Sequence, residues 1–307
     1  KERVPEDRPV PEKTINIITP QTSKNMNHIS KTTAVYFSPT KSSKQVALAI
    51  AGHLCDGQSN VCDLTYLPVS PRSFDADECV VVAAPVYGGH VPATAKERLC
   101  QLQGNGTPAV AVVTYGNRDY EQALTDLADI LRGQGFRVIA AATFIGEHSY
   151  CTDKYPIGKG RPDQNDLDCA AHFGDAVRRK ILEGDLKEVD VTTIPRPTTS
   201  PDDTRAFVEG IQQMKQKAAQ QAATGQTAPA VPVTDASLCT LCGSCVRLCP
   251  TDAIRIDGGQ LLTDPAHCIK CCACVKGCPS HARTFTTPFA PLLAAIFTTR
   301  KEPCTLV

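Results

Sequence analysis

Cys239-x-x-Cys242-x-x-Cys245-x-x-x-Cys249-Pro250 is followed by Cys268-x-x-Cys271-x-x-Cys274-x-x-x-Cys278-Pro279. Spacings of two gather three thiolates around one tight loop, and each proline then turns the chain away. The runs form an internal repeat offset by 29 residues, with Asp235 and Asp264 each four residues before the first Cys. Pro250-Thr251-Asp252-Ala253 is echoed by Pro279-Ser280-His281-Ala282. Soft thiolates match iron–sulfur centres. This spacing holds two [4Fe–4S] clusters, the fourth Cys of each run crossing to the other. The expected sets are Cys239, Cys242, Cys245 and Cys278 on one cluster, and Cys268, Cys271, Cys274 and Cys249 on the second. Zinc also uses Cys-x-x-Cys pairs, but seldom three Cys two residues apart before a Cys-Pro. Cys272 adds a spare thiol beside Cys271.

The chain has 307 residues, enough for two domains with their own cores. Lys plus Arg and Asp plus Glu are 32 each, a balance that favours neither nucleic acid nor a membrane surface as partner. Eight of the 16 Cys fall in the two runs, and the rest are scattered without a pairing rhythm. That usage predicts a reducing, oxygen-poor cytoplasm rather than a secreted disulfide scaffold. No apolar run approaches the ~18 residues of a membrane span. Residues 1–31 carry charge, Pro and Ser/Thr without periodicity and read as a disordered tail.

From residue 32 the pattern predicts strands at 32–37, 60–65, 79–84, 108–114 and 136–144. Helices are expected at 42–54, 93–102, 120–131 and 164–182. Five short apolar strands alternating with helices mean a doubly wound parallel sheet. Ligands of such sheets sit outside the carboxyl ends of the strands. Residues 32–191 make this first domain, and 192–233 read as a linker with a helix over 203–222. The cluster domain takes 234–288 and a C-terminal tail 289–307, whose apolar part, 289–297, is expected to pack on the domain.

Three loops meet at that sheet edge. Ser38-Pro39-Thr40-Lys41-Ser42-Ser43 opens the first helix, whose free N–H groups and dipole suit a phosphate. Pro85-Val86-Tyr87-Gly88-Gly89 and Thr114-Tyr115-Gly116-Asn117 each place an aromatic beside glycine. Two tyrosines can sandwich a flat ring while glycine lets backbone amides approach its edge.

The order of these loops resembles flavodoxin, an FMN-binding electron carrier, and the Cys runs resemble the bacterial two-cluster ferredoxins. Over about 32–285 the chain resembles proteins that fuse the two, as do Glu147-His148-Ser149 and Gly160-Arg161-Pro162-Asp163. The resemblance implies an α/β fold with a flavodoxin-like five-stranded parallel sheet in order 2-1-3-4-5, plus a small α+β ferredoxin-like domain. It implies FMN phosphate on Ser38, Thr40, Ser42 and Ser43. Tyr87 and Tyr115 would flank the ring, with Gly88, Gly89, Gly116 and Asn117 at its edge. Lys41 stands where the flavodoxin loop usually has Gly. The implied function is electron transfer between two [4Fe–4S] clusters and FMN, serving redox proteins that dock transiently. Two alternatives are a flavin oxidoreductase with its own small substrate and a ferredoxin whose first domain is a flavin-free docking module. No Gly-x-Gly-x-x-Gly follows a strand, which disfavours direct NAD(P)H use.

Overall fold

The computed structural model describes residues 29, 31–55, 59–225 and 230–307. Residues 1–28 and 30 of the expected tail lie outside the described residues, and Lys31 already belongs to the first strand.

Strand β1 (Lys31–Tyr36) lies between β2 (Asn60–Asp63) and β4 (Glu78–Pro85). The sheet continues through β6 (Thr107–Tyr115) to β7 (Phe136–Ile145), all parallel. Their runs of Val and Ala show little alternation because helices cover both faces. On one face α1 (Ser42–Leu54) and α4 (Gln164–Leu182) bury Val46, Ile50, Phe173 and Val177 against Tyr36 and Val81. On the other, α2 (Ala93–Leu99) and α3 (Ala123–Gly133) bury Leu99, Leu124, Leu127 and Leu131 against Val82 and Val113. The parallel strands thus run in the expected order 2-1-3-4-5.

Several boundaries differ from the sequence reading. The helix expected to reach residue 102 stops at Leu99, because β5 (Leu102–Gly104) pairs parallel with β3 (Arg72–Phe74) beside the main sheet. The helix expected from 120 begins at Ala123, since Tyr120 turns into the core and donates its hydroxyl to the Ile194 carbonyl at 3.2 Å. The linker is anchored too. Val191 and Ile194, around a short 3-10 turn at Val191–Thr193, are buried on the α3 side. Helix α5 (Pro201–Ala223) starts two residues early because Ser200 caps it, accepting from Asp203 N–H at 3.0 Å, with Pro201 in its first turn. It buries no residue. Phe207, Ile211 and Met214 are half-covered, and Ala218 is exposed.

The main correction concerns 289–307. This segment forms helix α8 (Phe289–Ile296) and strand β12 (Cys304–Leu306), which pairs antiparallel with β7. The sheet therefore has six strands among the described residues, in the order β12-β7-β6-β4-β1-β2. An edge strand such as β7 carries unpaired N–H and C=O groups, and β12 satisfies them.

The cluster domain folds as two copies of one unit. It holds β8 (Val233–Thr234), α6 (Ser244–Arg247), β9 (Ile254–Asp257), β10 (Gln260–Thr263), α7 (Ala273–Lys276) and β11 (Arg283–Thr284). β9 pairs with β10 and β8 with β11, both antiparallel. The repeat extends to the backbone: Leu241, Gly243 and Asp252 have φ of 54°, 74° and 51°, and Lys270, Cys272 and His281 have 57°, 58° and 52°. Two side chains tie this domain to the sheet. Buried Arg98 donates to the Leu64 carbonyl at 2.8 Å and to the Pro250 carbonyl, and Lys276 pairs with Glu147.

Candidate cofactor sites

At the carboxyl ends of β1, β4 and β6 lies a cavity of about 410 Å3, within the range of small-molecule pockets. It is lined by Ser38, Thr40, Ser42 and Ser43, by Pro85, Val86, Tyr87, Gly88 and Gly89, and by Thr114, Tyr115 and Gly116. Helix α1 has no side-chain cap from Lys41, and the N–H groups of Ser42 and Ser43 that open its first turn lie at the loop. Ser38 N–H donates to Thr65 Oγ1 at 2.9 Å, and Ser38 Oγ accepts from Lys44 N–H at 3.0 Å. Ser43 and Thr114 share a hydroxyl bond of 2.6 Å. Thr40 and Ser42 have no hydrogen-bond partner among the described residues, which leaves their hydroxyls for a bound group.

Two of the expected residues do not line the cavity. Lys41 takes the left-handed conformation, φ 72°, which glycine adopts without strain, and its side chain is exposed. Asn117 is buried and turned away, its Nδ2 donating to the carbonyls of Phe297 at 2.8 Å and Thr299 at 3.1 Å. It fastens the C-terminal segment rather than reaching a ring edge.

The two tyrosines expected to flank the ring stand differently at the cavity. Tyr87 sits on a two-residue turn, with Tyr87 and His90 exchanging backbone bonds of 2.9 and 3.2 Å around Gly88 and Gly89 at φ 61° and 85°. Positive φ at both central positions demands such residues, and a β-carbon on Gly89 would also strike Glu121 Oε2. Burial raises the Tyr87 hydroxyl pKa well above its ordinary value, with nearby Cys271 adding to the effect. Tyr115 touches the cavity but is 3% exposed, and its ring packs edge-on against Tyr120 at 5.9 Å. It belongs to the sheet core and offers no free stacking face.

Groups distant in sequence complete the walls: Arg118 and Glu121, His148 and Tyr150, Phe207 of α5, Ile269 and Lys270 between the cluster cysteines, and Phe289 and Leu293 of α8. Apart from His148, whose Glu147-His148-Ser149 stretch the resemblance singles out, no local pattern marks these, because each reaches the cavity through tertiary packing. The His148 ring stands 4.9 Å from Tyr150, in the space a Gly116 side chain would need. Its Nδ1 accepts the Tyr150 N–H at 3.0 Å, which places the neutral ring's proton on Nε2. Burial, reinforced by Lys276 and Arg118, pulls its pKa down to about 4. His148 is therefore a neutral hydrogen-bond donor near pH 7 and a poor acid for proton transfer.

Cys249, Cys268, Cys271 and Cys274 line a second, small cavity, together with Cys272, Ile254 and Ile269. This is one of the two expected ligand sets. Ala253 N–H donates to Cys249 Sγ at 3.2 Å and Arg283 to Cys274 Sγ at 3.5 Å, contacts suited to a negatively charged sulfur centre. Burial raises the Cys271 thiol to about 12, a cost that coordination removes by deprotonating the ligand outright. Of the other set, Cys245 and Cys278 are buried, Cys239 is half-buried and Cys242 is exposed. Among the described residues no three Cys, His or acidic side chains converge as a single metal ion requires.

Residues 231–279 match the family model of the 4Fe–4S dicluster domain. No curated protein sequence matches the chain. Among solved structures it is similar to a flavodoxin from the domain Archaea, with 17% identity and a TM-score of 0.33 over 49% of this chain and 98% of that one. It is similar also to flavodoxin 2 from Bacillus cereus, with 14% identity and a TM-score of 0.37 over 49% and 99%. No helix among the described residues is long and apolar enough to cross a membrane. The strand order and the flanking helices establish the first fold on their own, and the paired cysteine runs accord with the second. The chain joins a flavodoxin-like α/β domain to a 4Fe–4S dicluster domain.

Proposed function

We propose that the protein is an electron-transfer protein. In this reading FMN occupies the cavity at the sheet edge, and two [4Fe–4S] clusters sit in the domain beside it. The observation that carries it is the wall shared by both sites: Ile269 and Lys270, held between Cys268 and Cys271, line the FMN cavity together with Ser42 and Tyr87. Ile269 also lines the cavity of Cys249, Cys268, Cys271 and Cys274. That set is then the flavin-side one. The set containing exposed Cys242 faces solvent, where a redox partner docks.

Bound there, FMN supplies exchange of one or two electrons with protons, matched to clusters that pass one electron each. The residues bind and orient it. Thr40, Ser42 and the N–H groups of α1 would hold the phosphate, Tyr87 would meet the ring, and Phe289, Leu293 and Ile269 would keep water from it. His148 offers its Nε2–H. An enzyme turning over its own substrate would need an acid or base beside the ring; His148, neutral with its Nδ1 engaged, is not that group, which leaves the carboxylates of Asp119, Glu121 and Glu147 on the wall for such a role. The flavin-free alternative loses its motive, since Lys41 leaves the loop open.

Iron, acid-labile sulfide and acid-released flavin per chain, measured on anaerobically purified protein, test the proposal. About eight irons and one FMN support it. Eight irons without flavin, even after FMN is added, leave a ferredoxin with a docking domain.

A further inference from the structure

We propose that Cys272 is a reserve ligand for the cluster site of Cys249, Cys268, Cys271 and Cys274, taking over the iron that Cys271 holds. The inference rests on the two-cluster reading of the repeat. In the first run the residue after the second Cys is Gly243, which opens α6 at φ 74°. Its counterpart in the second run is Cys272, which opens α7 at φ 58°. Glycine adopts that backbone without penalty and a residue with a β-carbon does not. The second run therefore carries a side chain where the fold favours none.

That side chain points to iron chemistry. Cys272 is 3% exposed, and of the cysteines outside the two runs it alone lines the cavity of the four expected ligands. Its Sγ makes one weak contact, donating to the Lys270 carbonyl at 3.6 Å. The buried thiol thus shares one space with four other cysteines and is only loosely committed elsewhere. Exchange is chemically balanced: the iron–Sγ bond of Cys271 breaks and that sulfur takes up a proton, while Cys272 Sγ–H releases one and forms the new bond. No electron changes hands, and the site keeps four thiolates. The first run has no equivalent, because Gly243 offers no sulfur.

Iron and labile sulfide per chain, measured on the full-length protein after anaerobic reconstitution with ferrous iron and sulfide, provide the test. Wild type holds about eight irons, and Cys242→Ala falls to about four. Cys271→Ala stays near wild type, with an altered electron paramagnetic resonance spectrum when reduced. Cys271→Ala/Cys272→Ala falls to about four. A gain-of-function variant guards against simple misfolding: Gly243→Cys placed in Cys242→Ala restores the lost irons. The inference is overturned when Cys271→Ala loses its cluster as Cys242→Ala does, whether folded or not, or when Cys242→Ala retains its own without a reserve thiol. A wild-type chain that never reaches eight irons instead strikes the two-cluster reading itself.

Discussion

A β-carbon at Gly116 would lie 2.3 Å from Cδ2 of His148, so one methyl group must displace the ring that borders the flavin cavity. Overpacking of this kind costs about 1–3 kcal/mol. Gly116→Ala is expected to lower the urea midpoint and to weaken FMN binding at least tenfold by fluorescence titration; an unchanged affinity would remove His148 from the site. Lys41 is the opposite case. Held at φ 72° with its side chain in solvent, it carries about 1–2 kcal/mol of left-handed strain, partly offset because glycine is freer when unfolded. Lys41→Gly should raise Tm by a few degrees with FMN affinity kept or improved. A lower Tm would mean that Lys41 makes a stabilising interaction in the folded protein. The sequence shows the departure at 41 because a loop pattern is local. It cannot show that Tyr115 faces the core, since Tyr87 and Tyr115 look alike beside glycine, and only the Tyr120 ring, at 5.9 Å, settles the direction.

The C-terminal segment does what no element of the sequence reading anticipated: α8 lines the cavity and β12 closes the sheet. The parallel strands were legible because each is long, apolar and followed by a helix. β12 has three residues, and its place depends on β7 having a free edge. Between α8 and β12 the chain is latched to the start of α4. Arg161, paired with fully buried Asp166, donates to the Lys301 carbonyl at 3.1 Å, and Arg300 pairs with Asp163 at 2.6 Å. The Arg300 hydrogen bond, helped by the Asp166 backbone N–H and the Arg161 charge, holds the Asp163 carboxyl down to about 2. A depressed carboxylate pKa adds stability that is present above the unfolded value near 3.8 and is lost as pH falls through the window from about 4 to 2. Asp163→Asn keeps an N-cap acceptor but loses the charge. It should melt below wild type at pH 6 and match it near pH 2. A difference that persists at pH 2 would show that the cap, not the charge, is at stake.

Across the molecule, the two domains meet where their cofactors would. Arg98, 5% exposed, reaches from α2 to carbonyls on both sides of the junction, Leu64 and Thr65 on one and Pro250 on the other. Pro250 follows Cys249 directly, so Arg98 positions one cluster thiol against the sheet domain. Arg98→Ala leaves buried carbonyls without a donor, at about 1–3 kcal/mol. It should lower stability and slow electron passage between domains while iron content stays at wild type; unaltered passage would make the contact structural only. The central claim is that the wall of Ile269 and Lys270 gives electrons a path within one chain. Rapid photoreduction of the clusters in the FMN-loaded protein, followed at flavin wavelengths over a range of protein concentrations, tests it most directly. Flavin reduction is expected to be first-order, at a rate independent of concentration. A rate that rises in proportion to protein concentration would mean that electrons pass between molecules, and would contradict it.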